Sequence, residues 1–131
     1  MYQLQAKPSI PVEGDLTSTN TRGVVGMKVP PNGPTVKLFS GARKALYELV
    51  TDPMYAGIIL AAASSSEEPS YSHACLEAIE ILPGLTLRQI ISHDQIGRTG
   101  QLSPNKKSHF RLLQEESGIK FEEMLFFDDC K

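Results

Sequence analysis

At 131 residues, 40% of them apolar and 21% charged, the chain is ordinary globular material for one domain or slightly less. Thirteen basic and fifteen acidic residues leave a net charge of −2, which supplies no general electrostatic drive toward nucleic acid or an anionic membrane. The longest apolar run, "AGIILAAA", is too short to span a bilayer, and "MYQLQAKPSIPVEGD" has neither the basic start nor the apolar stretch of a secretory signal. Cys75 and Cys130 match no zinc or redox spacing. They read as reduced thiols in a cytoplasmic compartment, with Cys75 as small core filler.

Residues 1–35 hold Pro8, Pro11, Pro30, Pro31 and Pro34 and no helical period. They read as a long Pro/Gly-rich loop or substrate-specificity insert, with a short hairpin around "GVVGMKV". Residues 36–131 form the core. In "FSGARKALYELV", Ser40 is the expected N-cap, with Ala42, Ala45, Leu46, Leu49 and Val50 at helical spacing. "AGIILAAAS" reads as a strand buried on both faces. "SYSHACLEAIEIL" predicts a helix with Ala74, Cys75, Ala78, Ile79 and Leu82 inward, closed by Pro83-Gly84. "TLRQIISH" is a shorter strand. "PNKKSHFRLLQEESGI" is a helix with Pro104 near its start and Gly118 as its stop. "MLFF" is the last strand.

Helices alternating with strands predict an α/β fold with a parallel sheet covered on both faces. Ligands of such sheets bind beyond the carboxyl ends of the strands. Ser64 ends "AGIILAAA", Lys106 stands near a helix N-terminus, and Asp128-Asp129 follow "MLFF". A hydroxyl, an ammonium and two carboxylates on one sheet edge suit an anionic substrate with a hard cation. The carboxylates would hold Mg2+, and the lysine and hydroxyl would bind phosphoryl oxygens. Taken singly, each piece has an ordinary reading. "DD" is a helix N-cap or solvated turn, "SSS" a capping turn in which Ser66 or Ser70 starts the next helix, and Lys106 a surface lysine. His73 reads as a solvated helix residue, and His93 and His109 as packing or surface residues. The shared location at strand ends, in this order, favours the joint reading.

"AAASSSEEP", then "NKKSHFRLLQEESGI", then "MLFFDD" resembles the magnesium-dependent phosphatase group of the haloacid dehalogenase (HAD-like) superfamily, over residues 36–129. The resemblance implies a Rossmann-like three-layer fold and hydrolysis of phosphomonoesters. The substrates it implies are a phosphoprotein carrying phosphotyrosine or a phosphorylated small molecule such as a sugar phosphate. It also implies an aspartyl-phosphate intermediate with Mg2+ bound. Ser64 would hydrogen-bond the transferring phosphoryl group, and Lys106 would balance charge on nucleophile and phosphate. Asp129 would be the direct magnesium ligand, with Asp128 orienting it or a metal-bound water.

The chain departs from that pattern at the nucleophile. The group's two catalytic aspartates lie in a DxDxT-type motif on the first strand, and "GDLTSTN" supplies a single Asp15 with no apolar strand before it. The expectation is an internal piece of a phosphatase domain: an incomplete fold with the first strand missing, inactive by itself. Two other readings compete. A non-catalytic pseudo-phosphatase, or a phosphate- and magnesium-binding module, would keep the binding groups without the covalent step. A receiver-like signalling domain uses similar groups, but its acidic pair comes first and its lysine last, the reverse of the order here. "VEGDLTSTNTRGVVGMKVPPNGPT" and "SHDQIGRTGQL", the segments that would select the substrate, carry no recognisable signature. The sequence leaves the oligomeric state open.

Overall fold

The computed structural model describes residues 4–16 and 21–127. Contacts divide the chain into two compact units. The first comprises Met1–Leu60 and Glu68–Ser92, the second Ala61–Glu67 and His93–Lys131.

The first unit is built on an antiparallel sheet in the order β1-β2-β3, from β1 (Ile10–Asp15), β2 (Arg22–Lys28) and β3 (Thr35–Lys37). Ile10 faces Lys28 and Asp15 faces Arg22, with a bulge between Val12 and Glu13. The segment read as a long loop with a short hairpin around "GVVGMKV" thus holds β1, β2 and the first residue of β3, with β2 covering most of that hairpin segment. Pro11 is the second residue of the edge strand β1, and Pro30, Pro31 and Pro34 lie between β2 and β3, places where a sheet tolerates proline; Val24 and Val25 suit the middle of β2.

Helix α1 (Ser40–Thr51) begins one residue earlier than expected. Phe39 occupies the N-cap and Ser40 the first helical position, with no side-chain cap. The inward stripe is also rotated. Leu46, Tyr47 and Val50 pack against the core, whereas Ala42 and Ala45 are exposed. Helix α2 (Pro69–Ala78) starts with proline at its first position and Glu68 at its N-cap, so neither Ser66 nor Ser70 caps it.

That helix stops at Ala78, four residues short of the predicted end. β5 (Glu80–Leu82) and β6 (Leu85–Thr86) form a tight hairpin around Pro83-Gly84 instead. Pro83 presets the first turn position and Gly84, at φ +80°, takes the second, a conformation costly for any residue with a Cβ. Thr86 and Gln89 then form a capping box that starts a single helical turn, α3 (Leu87–Ile90). The strand expected from "TLRQIISH" therefore begins late, as β7 (Ile91–Ile96).

Met27, Cys75, Ile79, Ile81 and Leu87 make the core of the first unit. Cys75 is the small buried filler expected of it, and burial pushes its thiol pKa up. A polar clamp closes one side. Glu80 Oε1 accepts from the Val24 N–H at 2.8 Å and its Oε2 from the Gly84 N–H at 2.5 Å. Arg43 donates to the Glu80 carbonyl at 2.6 Å and to that of Val25 at 3.5 Å. Its partial burial lowers the guanidinium pKa.

The second unit carries most of β4 (Leu60–Ser64) and β7, a parallel pair, with helix α4 (Lys107–Ser117) and a 3-10 turn at Phe121–Glu123. Mixed helices and strands with a parallel pair bear out an α/β fold of incomplete Rossmann-like type. Two details differ from expectation. β4 is half-buried, with one strand neighbour among the described residues, and Ile58 and Ile59 ahead of it are exposed. "MLFF" joins no sheet among the described residues. Helix α4 ends as predicted on Gly118, which is left-handed at φ 73°. No described helix is long and apolar enough to cross a membrane.

Candidate functional site

Ser64 and Lys106 both belong to the second unit. Ser64 is the last residue of β4, half-buried, where the strand turns into the serine run. Its Oγ accepts a hydrogen bond from the Ser66 N–H at 3.3 Å. This leaves the hydroxyl proton without an acceptor among the described residues and available to a ligand oxygen.

Lys106 occupies the N-cap position of α4, with its carbonyl accepting from the Phe110 N–H at 3.0 Å. The start of the helix is shaped by its neighbours. Asn105 Oδ1 accepts from the Lys107 N–H at 2.8 Å, and Ser108 Oγ accepts from the Ser103 N–H at 3.0 Å. The Lys106 ammonium lies 5.1 Å from the centre of the Phe126 ring, within cation–π range. Phe126 packs edge-on against Phe110 at 4.7 Å between centroids.

One residue ties these two positions together. The Gly97 N–H, just past β7, donates to the Ser64 carbonyl at 2.9 Å. The Gly97 carbonyl in turn accepts from Nε2 of His109 at 2.9 Å. His109 is fully buried, three residues beyond Lys106 on α4. A carbonyl can only accept, so Nε2 carries the proton and Nδ1 faces the Ser108 hydroxyl at 3.4 Å. The chain Ser64–Gly97–His109 thus locks the end of β4 to the first turn of α4. Arg98 reinforces it from the same loop, donating through Nε to the Ser65 carbonyl and through Nη1 to Glu67 at 3.2 Å.

Of the two readings given for His109, packing or surface, the structure shows packing, and that packing fixes the start of α4. The signal for that was local: a histidine on the inward face of a helix, one turn past the lysine. Arg98 was missed altogether, since one arginine in a Gly/Thr loop carries no pattern. His93 Nδ1 lies 3.5 Å from Glu116 Oε2.

The acidic pair lies outside the described residues, so no geometry is given to Asp128 and Asp129. Among the described residues, no group of three or more His, Cys, Asp and Glu side chains is placed to hold a metal ion. As donors, two adjacent carboxylates offer hard oxygens, the ligand type that Mg2+ takes.

A family model described as Acid Phosphatase matches residues 12–131. No curated protein and no solved structure matches the chain. The matched span runs through Ser64, Lys106 and the acidic pair, and it covers nearly the whole sequence. The chain belongs to this acid phosphatase family, within the HAD-like phosphatases that its strand-end hydroxyl and helix-start lysine resemble.

Proposed function

We propose that this chain provides the phosphoryl-binding part of a magnesium-dependent phosphomonoester hydrolase. The observation that carries this is the hydrogen-bonded link through Gly97, which holds a strand-end hydroxyl and a helix-start ammonium on one small unit. Ser64 donates its free O–H to a phosphoryl oxygen. Lys106 swings from the Phe126 face to the same group and offsets its negative charge. At the start of α4, the macrodipole adds a favourable field for an anion. Asp128 and Asp129 are the residues that would hold Mg2+, with Asp129 as the direct ligand. When bound, the ion would neutralise charge on the transferring group. The substrate class is a phosphotyrosyl protein or a small phosphorylated molecule such as a sugar phosphate.

The sequence contains no DxDxT motif, so the nucleophile and acid/base pair of an aspartyl-phosphate route are not supplied by these 131 residues. The chain alone therefore binds and does not turn over. In a chromogenic phosphomonoester assay with Mg2+, it releases no phosphate above background. A version extended at the N-terminus by a DxDxT strand gains activity that depends on magnesium, and Asp129→Ala removes most of it. Unchanged turnover in that variant would overturn the metal assignment. Measurable turnover by the unextended chain would overturn the division of labour.

The absence of the motif also favours a second reading, a pseudo-phosphatase that binds phosphate and magnesium without chemistry. It predicts the same binding and no gain of activity on extension.

A further inference from the structure

β4 and β7 run parallel, so their carboxyl ends share one edge of the pair. Successive residues meet across that edge. The Gly97 N–H donates to the Ser64 carbonyl at 2.9 Å, and Arg98, the next residue, donates through Nε to the Ser65 carbonyl. The guanidinium is therefore held against the turn that begins at Ser64, where ligands of parallel sheets bind. An arginine has five N–H groups, and the Nε bond and the one from Nη1 to Glu67 Oε1 at 3.2 Å use two of them. Nη2 has no partner among the described residues. The side chain is only 27% exposed, so little water competes for its remaining donors.

Glu67 supplies the carboxylate on Arg98, and its side chain is 48% exposed. Ion pairs this open contribute little to stability, so exchanging the carboxylate for another anion costs little. A phosphoryl group is the stronger claimant, since it carries more charge and matches the planar fork of a guanidinium with two oxygens. The Nε bond to Ser65 keeps the guanidinium in place while its Nη groups change partner.

We infer that Arg98 is a third anion-binding group, beside Ser64 and Lys106, and that Glu67 competes with the phosphoryl ligand for it. The inference rests on the phosphoryl-binding reading above and adds a second cation to it. Lys106 comes from the start of α4 and Arg98 from the end of β7, both within the second unit. Glu67 belongs to the same unit, in the turn that Ser64 begins. Its carboxylate makes binding depend on displacing an internal anion, which sets a threshold for weakly charged ligands.

NMR titration of the 131-residue chain with inorganic phosphate, in wild type and variants, tests the inference. Arg98→Gln weakens binding at least about tenfold, the scale of one charge-assisted hydrogen bond. A damaged serine turn would give the same loss, so the deciding variant is Glu67→Gln. It frees Arg98 and tightens binding several-fold, and a gain of affinity does not come from misfolding. In the Arg98→Gln background the same change brings no gain, because Glu67 acts through Arg98. Three results overturn the inference while the phosphoryl-binding reading stands, each with phosphate still shifting the Ser64 and Lys106 signals. They are an Arg98→Gln variant that binds as wild type does, a Glu67→Gln variant that binds no tighter, or a gain that persists without Arg98. Phosphate bound by neither wild type nor Glu67→Gln overturns the inference and the reading together.

Discussion

The two units divide burial and chemistry between them. Among the described residues, the first, built on β1–β3 with the β5–β6 hairpin, contains every buried apolar core residue except Leu113. Its polar groups are also internally matched, since the Glu80 carboxylate and the Arg43 guanidinium are both taken up by backbone groups. The second unit holds Ser64 and Lys106, yet its fully buried side chain is a histidine, and Leu125 and Phe127 face outward. A site for an anion needs hydroxyl, ammonium and carboxylate groups at strand ends and helix starts, positions that a dense apolar core does not fill. In the second unit hydrogen bonds through Gly97 do the positioning that side-chain packing does in the first.

That contrast can be broken by substitution. The largest effect is expected from Ile81→Ala, at the centre of the first unit's core, where Ile81 is 0% exposed. Such a cavity costs about 2–5 kcal/mol, read as a lowered urea midpoint. Amide exchange should show the loss in the first unit. His109→Ala comes next at about 2–4 kcal/mol, combining a cavity with an unsatisfied Gly97 carbonyl. Its amide-exchange signature should fall on residues 61–67 and 93–117. A loss of protection spread evenly over the whole chain would show that the units do not differ as described.

Smaller effects sharpen the same comparison. Gly118→Ala forces a Cβ into a left-handed position at φ 73° and should cost about 1 kcal/mol, confined to the end of α4. Alkaline pH acts on the first unit instead. Burial raises the Cys75 pKa above the ordinary 9.0, so the unfolded chain loses its thiol proton before the folded one does. Its contribution is complete below the unfolded pKa and is lost as pH rises through the folded one. Urea midpoints measured from neutral to alkaline pH should fall in that window, and Cys75→Ala should flatten the fall.

Much of the α/β pattern was legible in the sequence, for reasons that show in particular residues. Helix α4 was read with its stop because Gly118 marks a left-handed cap that few other residues accept. Cys75 was placed in the core because it lies on the apolar stripe of α2. The hairpin at Glu80–Thr86 was missed because Ile79, Ile81 and Leu82 also fit a helical stripe, and the Pro83-Gly84 turn decides between the two periods. Of the β1–β3 sheet only a hairpin around "GVVGMKV" was read, because prolines, which a strand tolerates at its edge and its turns, masked the rest. For the candidate site, Ser64 does end a strand and Lys106 does stand at a helix start, the placements read from the sequence. Gly97 joins the two positions through its backbone atoms, and Arg98 braces the serine turn through its guanidinium; a lone glycine and a lone arginine in a loop leave no pattern in a single sequence. "MLFF" has the composition of a strand, but a strand is completed by a neighbour, and composition does not supply one.

The most direct test of the central claim is a titration of the isotopically labelled chain with inorganic phosphate in the presence of Mg2+, followed by amide and lysine NMR signals. Shifts are expected to concentrate at residues 64–66, at Gly97 and at residues 105–109, including the Lys106 side chain, with Ser64→Ala and Lys106→Ala each weakening the response. Shifts absent from those positions, or centred on the β1–β3 sheet, would contradict it.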